Sequence, residues 1–481
     1  MSPTQISTTT KLLSPTLHLY HYVLRNSMNE RHEILEKRRG FFVNNLQKLA
    51  SHLTSSSGKN FSSFLKFLPI EQDLTASGTV LDLANVPSEC RSSTNPNDDR
   101  LYLDTGIIRS RFAARRLNDT YLLRFTSYIP SIHQEQPLPV FANLGEGIAS
   151  LPIELGQTVI LAGILPESQY SKQEILPIAA NCFSHYYGTK INPDKLILNE
   201  FLGSPFCIYV QPVIVEQFNE YTVNSIHLTC VFLYKDEMTQ TQADEVYRIL
   251  TYLLFSYHKI FFFSSQSIAL KKKVAKNYEY IERLTEEYAQ HKWDSQSLKK
   301  LPQESLEYYK KLSFLEDQKR LVEVNYKNYK ESIAQIREIT GQDVPLFFYE
   351  FEKDIKFYLE QLQSNIAFLS PGIQLFDKLM QSVQTQVSID EENRQNIQDE
   401  KQAQLGQIFA GVGAAIGIAQ IITTPVTNSF SLYIDKNNNQ ANSQPSIPSL
   451  WLGAIVSITL SILIGYFISL KVYKWFTRSK S

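Results

Sequence analysis

Two apolar segments near the C-terminus dominate the hydrophobic pattern of the chain. They lie at 405–426 and 450–470, and the second contains no charged residue. About twenty apolar residues in a helix are long enough to cross a hydrocarbon core of roughly 30 Å. The first segment is interrupted by Gln407 and Gln420, but it lies close to its stronger neighbour. We therefore predict a C-terminal two-helix transmembrane hairpin with an outside loop at 427–449.

The charges around these segments predict their orientation. Basic residues follow the second span, whereas the only charged residues of the loop are Asp435 and Lys436. Positively charged flanks stay on the cytosolic side of a membrane, so the basic tail 471–481 should face the cytosol. Two crossings then place the long N-terminal part in the cytosol as well. We expect a multi-pass protein of the cell inner (plasma) membrane, with both termini cytosolic and membrane lipid as a partner.

Small side chains recur every four residues along the second span. Such a stripe lies on one helix face and allows another helix backbone to approach closely. The stripe either packs against the first span of the same chain or contributes to a symmetric oligomer in which copies of the first span surround a pore. The stripe consists of Gly453, Ser457, Ser461, Gly465 and Ser469.

Polar residues of the first span are candidates for lining such a pore. Polar groups in hydrocarbon are costly unless they meet partners or water, so Gln420 and Thr424 could face a wet axis. Gln407 lies about thirteen residues before Gln420 and falls on a different helix face at 3.6 residues per turn. The alternative is that both glutamines form hydrogen bonds between spans without conduction.

Acidic residues precede the first span in a polar stretch. Either they form a solvated face, or in a ring of stalks they gather cations at the inner mouth of a pore. The residues proposed for that role are Glu391, Glu392, Asp399 and Glu400.

Long helices are predicted before the spans. The segment 236–370 has the apolar spacing of a long helical hairpin or bundle, and 371–404 is expected to be a stalk helix that continues into the first span. The run 246–263 is apolar enough to suggest another membrane segment. His258 and Lys259 interrupt this run, so a buried helix is the better interpretation.

Local signals predict where these helices begin and end. Thr241 and Asp244 resemble a capping box at the start of the first helix. Pro302 should lie in a break before the second helix, which is expected at 304–340 and should end before Gly341.

The segment 101–235 is predicted to be an α+β cytosolic domain. Runs at 107–115 and 121–129 flank Asn118 and Asp119, which indicates a β-hairpin. Strands outnumber helices, so a mixed or antiparallel sheet is favoured over a doubly wound one. The other expected elements are strands at 158–165, 206–213 and 225–234 and a helix at 174–186.

The same hairpin carries a local basic cluster. A solvated face is the favoured interpretation, and a site for an anion is the alternative. The cluster consists of Arg109, Arg111, Arg115 and Arg116.

The first 100 residues are interpreted as a helical and loop region. A helix is predicted at 29–53, where apolar residues fall on one side. His18 and His21 are three residues apart, which on a helix could bring both to one metal ion. Packed or solvated histidines are favoured because no third ligand lies nearby.

Composition narrows the function classes. The chain has 481 residues, of which 43% are hydrophobic and 20% charged, with a net charge of −1. That balance gives no reason to expect nucleic acid as a partner. The four cysteines form no C-x-x-C pair, which suits a reducing compartment without a zinc site. The sequence contains no hydrolase motif, no metalloprotease motif and no phosphate-loop motif. We therefore expect that the protein is not an enzyme and binds no cofactor.

The order of the segments resembles the CorA-type divalent-cation transporter family. An α+β domain, long helices, a stalk, two spans around a short outside loop, and a basic tail cover roughly 101–481. The resemblance implies a homo-oligomer, a pentamer in that family, whose first span lines the pore. The family carries a Gly-Met-Asn motif where that span meets the loop, but 423–428 here has the sequence Thr-Thr-Pro-Val-Thr-Asn. No metal ligand can therefore be assigned by resemblance.

Three kinds of function remain. The favoured one is an oligomeric ion channel or transporter with a large cytosolic regulatory domain. A ligand-triggered membrane effector, for example in defence against phage, would respond to a cytosolic small molecule. A scaffold anchored by the hairpin would conduct nothing.

The predicted topology can be tested by cysteine labelling. In intact cells, Asn438→Cys should react with a membrane-impermeant maleimide because the loop faces outside, whereas Ser481→Cys should react only after permeabilisation. The chain without either substitution is the control, since its own cysteines lie in the cytosolic part. Labelling of Ser481→Cys with protection of Asn438→Cys would show the opposite orientation.

Overall fold

The computed structural model describes residues 10–25, 32–57, 66–67, 80–85, 101–104, 107–130, 134–166, 170–216, 222–292 and 295–394. The chain divides into two compact units. The first comprises residues up to Tyr280 together with Lys310–Gly372, and the second comprises Ile281–Tyr309 together with residues from Ile373 onward. The predicted transmembrane hairpin lies outside the described residues.

Strands and helices are numbered here in chain order. The strands are β1 (Lys11–Leu24), β2 (Lys66–Phe67), β3 (Val80–Asp82), β4 (Ala84–Asn85), β5 (Leu101–Asp104), β6 (Arg109–Leu117), β7 (Thr120–Tyr128), β8 (Gln136–Pro137), β9 (Gly156–Ile164), β10 (Ile197–Phe201), β11 (Ser204–Glu216) and β12 (Thr222–Tyr234). The helices are α1 (His32–Ser57), α2 (Val140–Leu144), α3 (Lys172–Tyr187), α4 (Glu237–Ala289), α5 (Ser295–Thr340), α6 (Leu346–Leu369) and α7 (Pro371–Arg394), with a 3-10 turn at Pro193–Lys195.

A ten-stranded sheet forms the centre of the first unit. Its main order is β10-β11-β12-β9-β1-β7-β6-β3, while β5 pairs with β6 and β8 pairs with β1. The β12–β9 pair is parallel, and the other pairs in this sheet are antiparallel. The predicted hairpin is confirmed, because β6 and β7 join through Asn118, whose φ of 53° is one that asparagine tolerates. The mixed sheet and the long helices after it confirm the α+β fold class of this part.

The position of β1 corrects the interpretation of residues 1–100. The sequence suggested helix and loops there, but Lys11–Leu24 is a central strand with β7 on one side and β9 on the other. Its central residues are buried on both faces, so the alternation of polar and apolar residues that marks a half-exposed strand is missing. The predicted helix at 29–53 is confirmed as α1.

One face of the sheet is covered by α1, α2 and α3. Phe42 of α1 stacks on Tyr121 of β7 with ring centroids 5.0 Å apart, and Phe183 of α3 lies against Tyr209 of β11. These rings belong to one apolar core that includes Leu19, Val159 and Val231 from three neighbouring strands. The core therefore joins the N-terminal strand and helix to the segment 101–235 in a single sheet domain.

The opposite face of the sheet is covered by α4. The hydroxyl of Tyr20 donates to the carbonyl of Tyr247 at 3.1 Å, and that of Tyr22 donates to the carbonyl of Thr251 at 2.7 Å. Residues of the apolar run 246–263, such as Leu253 and Ile260, are fully buried. The prediction of a buried helix at this run is confirmed.

Two predicted helix signals differ from the structure. The first helix begins earlier than Thr241, and Asp236 rather than a capping box accepts hydrogen bonds from the backbone and the hydroxyl of Thr239. Thr241 instead donates to the carbonyl of Glu237 one turn earlier. Pro302 lies inside α5 and not in a break, since the helix begins at Ser295. The predicted end at Gly341 is confirmed by a φ of 65°, which suits glycine.

The third long helix packs within the first unit. Tyr257 of α4 and Tyr329 of α5 both contact the ring of Phe351 in α6, and the Tyr329 hydroxyl donates to the carbonyl of Phe348 at 2.8 Å. Apolar residues at spacings of three, four and seven predict a packing seam on this helix, and it is buried at Phe348, Phe351, Ile355, Leu362 and Leu369, whereas Tyr358 is half-buried.

The described part of the second unit is helical. It contains the end of α4, the start of α5 and most of α7. Tyr308 lies against Phe376, and Tyr309 donates to Asp377 at 3.2 Å. The spacing of Phe376, Met380, Val383 and Val387 predicts an apolar stripe on the stalk, and the first three of these residues are buried. Beyond Arg394 the predicted stalk lies outside the described residues.

A buried ion pair links the β6–β7 turn to α4, and its stability can be tested. The ammonium of Lys259 donates to both carboxylate oxygens of Asp119 at 2.7 and 2.8 Å, with 5% of the lysine side chain exposed. Asp119→Ala should reduce the free energy of unfolding by about 2 kcal/mol, because a buried ammonium is left without its partner. Thermal unfolding of the full-length protein in detergent measures the change.

Two further variants make this test specific. The exposed pair Lys11–Glu135 is the matched control, and Lys11→Ala should cost less than about 1 kcal/mol. Adding Lys259→Met to Asp119→Ala should recover most of the loss, since no unpaired charge remains. Equal effects of Asp119→Ala and Lys11→Ala would contradict a special role for the buried pair.

Candidate functional site

The residues predicted to line or serve a pore are not described by the structure. Gln407, Gln420, Thr424, Asp399, Glu400 and the small-residue stripe all lie beyond Arg394. Glu391 and Glu392 lie on the last turns of α7, but their side chains are not described. Among the described residues, no helix is long and apolar enough to cross a membrane, and no group of three His, Cys, Asp or Glu side chains is placed to hold a metal ion.

His18 and His21, considered as a metal pair, are separated by the strand that carries them. Side chains three residues apart on a strand point to opposite faces of the sheet. His18 contacts Tyr247 of α4 with ring centroids 4.0 Å apart, whereas His21 accepts a hydrogen bond from Asn45 of α1 at 3.1 Å. A metal ion shared by this pair is therefore excluded.

The structure brings together a row of buried polar residues on the α1–α3 face, which we call the histidine row. It consists of His21, Gln157 and His227, which are register partners on β1, β9 and β12. Next to it, Thr229 makes hydrogen bonds to the Tyr187 hydroxyl at 2.6 Å and to His227 at 3.4 Å. A polar band thus crosses the apolar core from α1 to α3.

The histidine row is held in the uncharged state. Burial lowers the pKa of His21 to about 4, with His227 lowering it further and Gln157 raising it. Burial alone lowers the pKa of His227 to about 4. Nδ1 of His21 and both amide atoms of Gln157 have no hydrogen-bond partner within the described structure. Such groups destabilise a fold unless small molecules such as water satisfy them.

His258 of α4 lies on the opposite face of the sheet, beside Gly156 and Thr158 at the start of β9. Its Nε2 lies 2.7 Å from the hydroxyl of Thr158, and its ring lies against Gly156. A Cβ at Gly156 would lie 2.2 Å from Nδ1 of this imidazole, so β9 can start here only with glycine. Burial, together with His227 and His21, lowers the pKa of His258 to about 3.

The α4 face also carries a half-buried pair of arginines. Arg124 of β7 is the register partner of Tyr20 and lies 5.7 Å from its ring, while Arg111 of β6 lies 6.0 Å from the ring of Tyr128. Both guanidinium groups lower the pKa of His18, although burial has the larger effect. We call Arg111 and Arg124 the arginine pair.

The basic cluster predicted on the hairpin is divided by the sheet. Arg109, Arg111 and Arg115 share one face because they alternate along β6, whereas Arg116 is on the other face and 4% exposed. Sequence reasoning missed Arg124 as a neighbour of this cluster. The hairpin register contains that signal, because a two-residue turn at 118–119 places Ala113 opposite Arg124.

The described cysteines are buried thiols. Burial raises the pKa of Cys207 to about 12 and raises those of Cys182 and Cys230 further. A thiol with a raised pKa is protonated and is a poor nucleophile. The arginine pair, with its permanent charge and partial exposure, is the arrangement best suited to contact a ligand.

Comparison with known proteins gives no match: neither a family model nor a curated protein matches this chain.

The histidines predict acid sensitivity of the fold. Their folded pKa values lie below the ordinary value of 6.5, so the unfolded chain binds protons first as the pH falls. Their contribution to stability is complete above about pH 6.5 and is lost between there and about pH 4, at up to about 1.4 kcal/mol per pH unit for each histidine. Thermal unfolding midpoints across this pH range measure the effect.

A single variant isolates this effect from that of the acidic residues. His227→Gln should reduce the dependence of the midpoint on pH, because one proton fewer distinguishes the folded from the unfolded state. His185→Gln, on the less buried side of α3, is the matched control and should leave the dependence unchanged. An unchanged pH dependence in His227→Gln would mean that His227 takes up its proton at the same pH in the folded and the unfolded protein.

Proposed function

We propose that this protein is an oligomeric CorA-like ion channel or transporter whose sheet domain and long helices form a cytosolic regulatory part. The observation that carries the proposal is the pair of apolar segments at 405–426 and 450–470. Their length suits two membrane crossings, and aromatic residues stand where the second one would meet the two interfaces, at Trp451 and at Tyr473 with Trp475.

The described helices support this proposal by their order. An α+β domain is followed by the long helices α4, α5 and α6, and then by α7, which precedes the first apolar segment in sequence. The apolar side of α7 is buried up to Val383, and three consecutive acidic residues follow at Asp390, Glu391 and Glu392. This change suits a helix that is packed at its start and that exposes carboxylates closer to the membrane.

Assembly is proposed from the small-residue stripe on the second span. Without a hydrophobic driving force between helices in lipid, close packing at small side chains favours association. The chain lacks the Gly-Met-Asn motif of the family it resembles, so the proposal leaves the ion unspecified and assigns no metal ligand.

A ligand-triggered membrane effector is the second candidate. The arginine pair on the α4 face favours it, since two half-buried guanidinium groups suit an anionic ligand. In this alternative the spans would respond to a cytosolic small molecule and would not conduct ions continuously.

Ion flux through reconstituted protein tests the favoured function. Proteoliposomes should release cations, and Gln420→Leu should reduce the flux because a polar group is lost from the wet axis. Glu391→Gln with Glu392→Gln should lower conductance mainly at low salt, where charges are weakly screened. Gln407→Leu, on a different face of the same helix, is the matched control and should have little effect.

The opposite results separate the alternatives. Liposomes that stay impermeable to all ions, with or without soluble anions, would indicate an anchored scaffold. Flux that appears only when a small anion is added would favour the effector. Equal losses in Gln407→Leu and Gln420→Leu would contradict the assigned pore face.

A further inference from the structure

The arginine pair lies diagonally across two neighbouring strands. Arg111 is the register partner of Thr126, and Arg124 is the partner of Ala113, so two residues of offset separate them on the same face. Diagonal neighbours in a sheet are roughly 7–8 Å apart, within reach of long side chains. Both arginines act electrostatically on His18 and Tyr20, which places their charges around the same buried groups.

Neither arginine of the pair forms an ion pair with a described side chain, although each rests on a tyrosine ring. The nearby acid is Asp244 of α4. Desolvation raises the pKa of Asp244, although Arg111 and Arg124 act to lower it. A carboxylate held tightly by two guanidinium groups would have a lowered pKa. The pair therefore keeps hydrogen-bonding capacity for another anion.

The neighbouring arginines on β6 differ in this respect. Asp104 of β5 is the register partner of Arg109, and Asp82 of β3 is the register partner of Arg115. Arg109 and Arg115 are also engaged in contacts of their own. Arg109, on the same strand and face, is therefore a suitable comparison for the arginine pair.

We propose that the arginine pair binds a soluble small molecule that carries phosphate groups. A guanidinium group presents a planar fork of donors that matches phosphate oxygens bidentately, and two forks at this spacing suit an anion with two phosphate groups. Thr126, whose hydroxyl lies 3.2 Å from Nδ1 of His18, is the register partner of Arg111. The guanidinium groups of Arg124 and Arg111 lie 5.7 Å from the ring of Tyr20 and 6.0 Å from the ring of Tyr128.

The arrangement favours a soluble anion over the surface of an anionic membrane. A lipid surface attracts extended basic patches, with each exposed charge adding to the attraction. Here the proposed site consists of two half-buried side chains, Arg111 and Arg124. Such a patch accommodates one small anion.

Binding of pyrophosphate to the full-length protein in detergent tests the proposal. Titration calorimetry should show one saturable site per chain, with affinity that falls as salt is raised. Arg111→Gln and Arg124→Gln should each weaken binding by about tenfold or more, since a charge-assisted bidentate contact is lost. Arg109→Gln, two residues away on the same strand and face, is the matched control and should change affinity by less than about twofold.

Two additions keep the result interpretable. Arg111→Lys and Arg124→Lys retain the charge without the fork, so they should weaken binding less than the glutamine variants and still fold if those do not. Thermal midpoints without ligand show whether each variant is folded. The measurement concerns binding alone and stands whether or not the protein conducts ions.

Three outcomes would overturn the proposal. One is the absence of saturable binding of pyrophosphate or tripolyphosphate to the folded protein. Another is equal weakening by Arg109→Gln and Arg111→Gln, which would indicate a diffuse field without a site. The third is loss of pyrophosphate binding in nanodiscs that contain phosphatidylserine but not in neutral nanodiscs, which would identify a lipid headgroup as the occupant.

Discussion

The centre of the sheet is buried on both faces, and this constraint determines much of the first unit. The polar side chains in the middle of β1, β9 and β12 are buried, so most of them need hydrogen-bond partners within the protein. On one face the tyrosines of β1 donate to backbone carbonyls of α4, which fixes the helix along the strand. On the other face, Asn45 of α1 and Tyr187 of α3 contact the polar band around the histidine row. The helices are thus positioned by polar contacts set within apolar packing.

The same constraint explains which elements could be predicted from the sequence. The helix α3 and the long helices have clear periodicity, because each has one side toward the core and one toward solvent. The strands β6, β7 and β9 are buried along most of their length, and they were predicted from short apolar runs and from the turn residues Asn118 and Asp119. Strand β1 has no such contrast between a buried and an exposed side. Its histidines, His18 and His21, were therefore interpreted as if they lay on a helix. Local rules also failed where tertiary contacts dominate: Pro302 lies within α5, and Asp236 replaces the capping box expected at Thr241 and Asp244.

The candidate site could be predicted only in part. The basic residues of β6 are visible in the sequence, and the hairpin register places Arg124 beside them. The sequence does not show that Arg116 turns into the core, or that Asp104 and Asp82 come opposite Arg109 and Arg115. Those pairings depend on long-range strand order, which no local pattern contains. Gln157 and His227 join His21 for the same reason, since β12 reaches β9 as its parallel neighbour.

Buried polar groups also distinguish two kinds of apolar run in this chain. The run 246–263 is rich in aromatic and aliphatic residues, yet it carries His258 and Lys259, and both have partners on the sheet, Thr158 and Asp119. Charged groups inside an apolar helix are tolerated when another element of the fold supplies the opposite charge or a hydrogen bond. The segment 450–470 contains no charged residue that would need such a partner, and its polar side chains are small hydroxyls that can bond to their own helix backbone. A lipid environment requires that every polar group be satisfied within or between helices, and this composition meets the requirement without a sheet. The two runs therefore differ in their need for polar partners as well as in hydrophobicity, and this difference is the physical reason for proposing only the later one as a membrane segment.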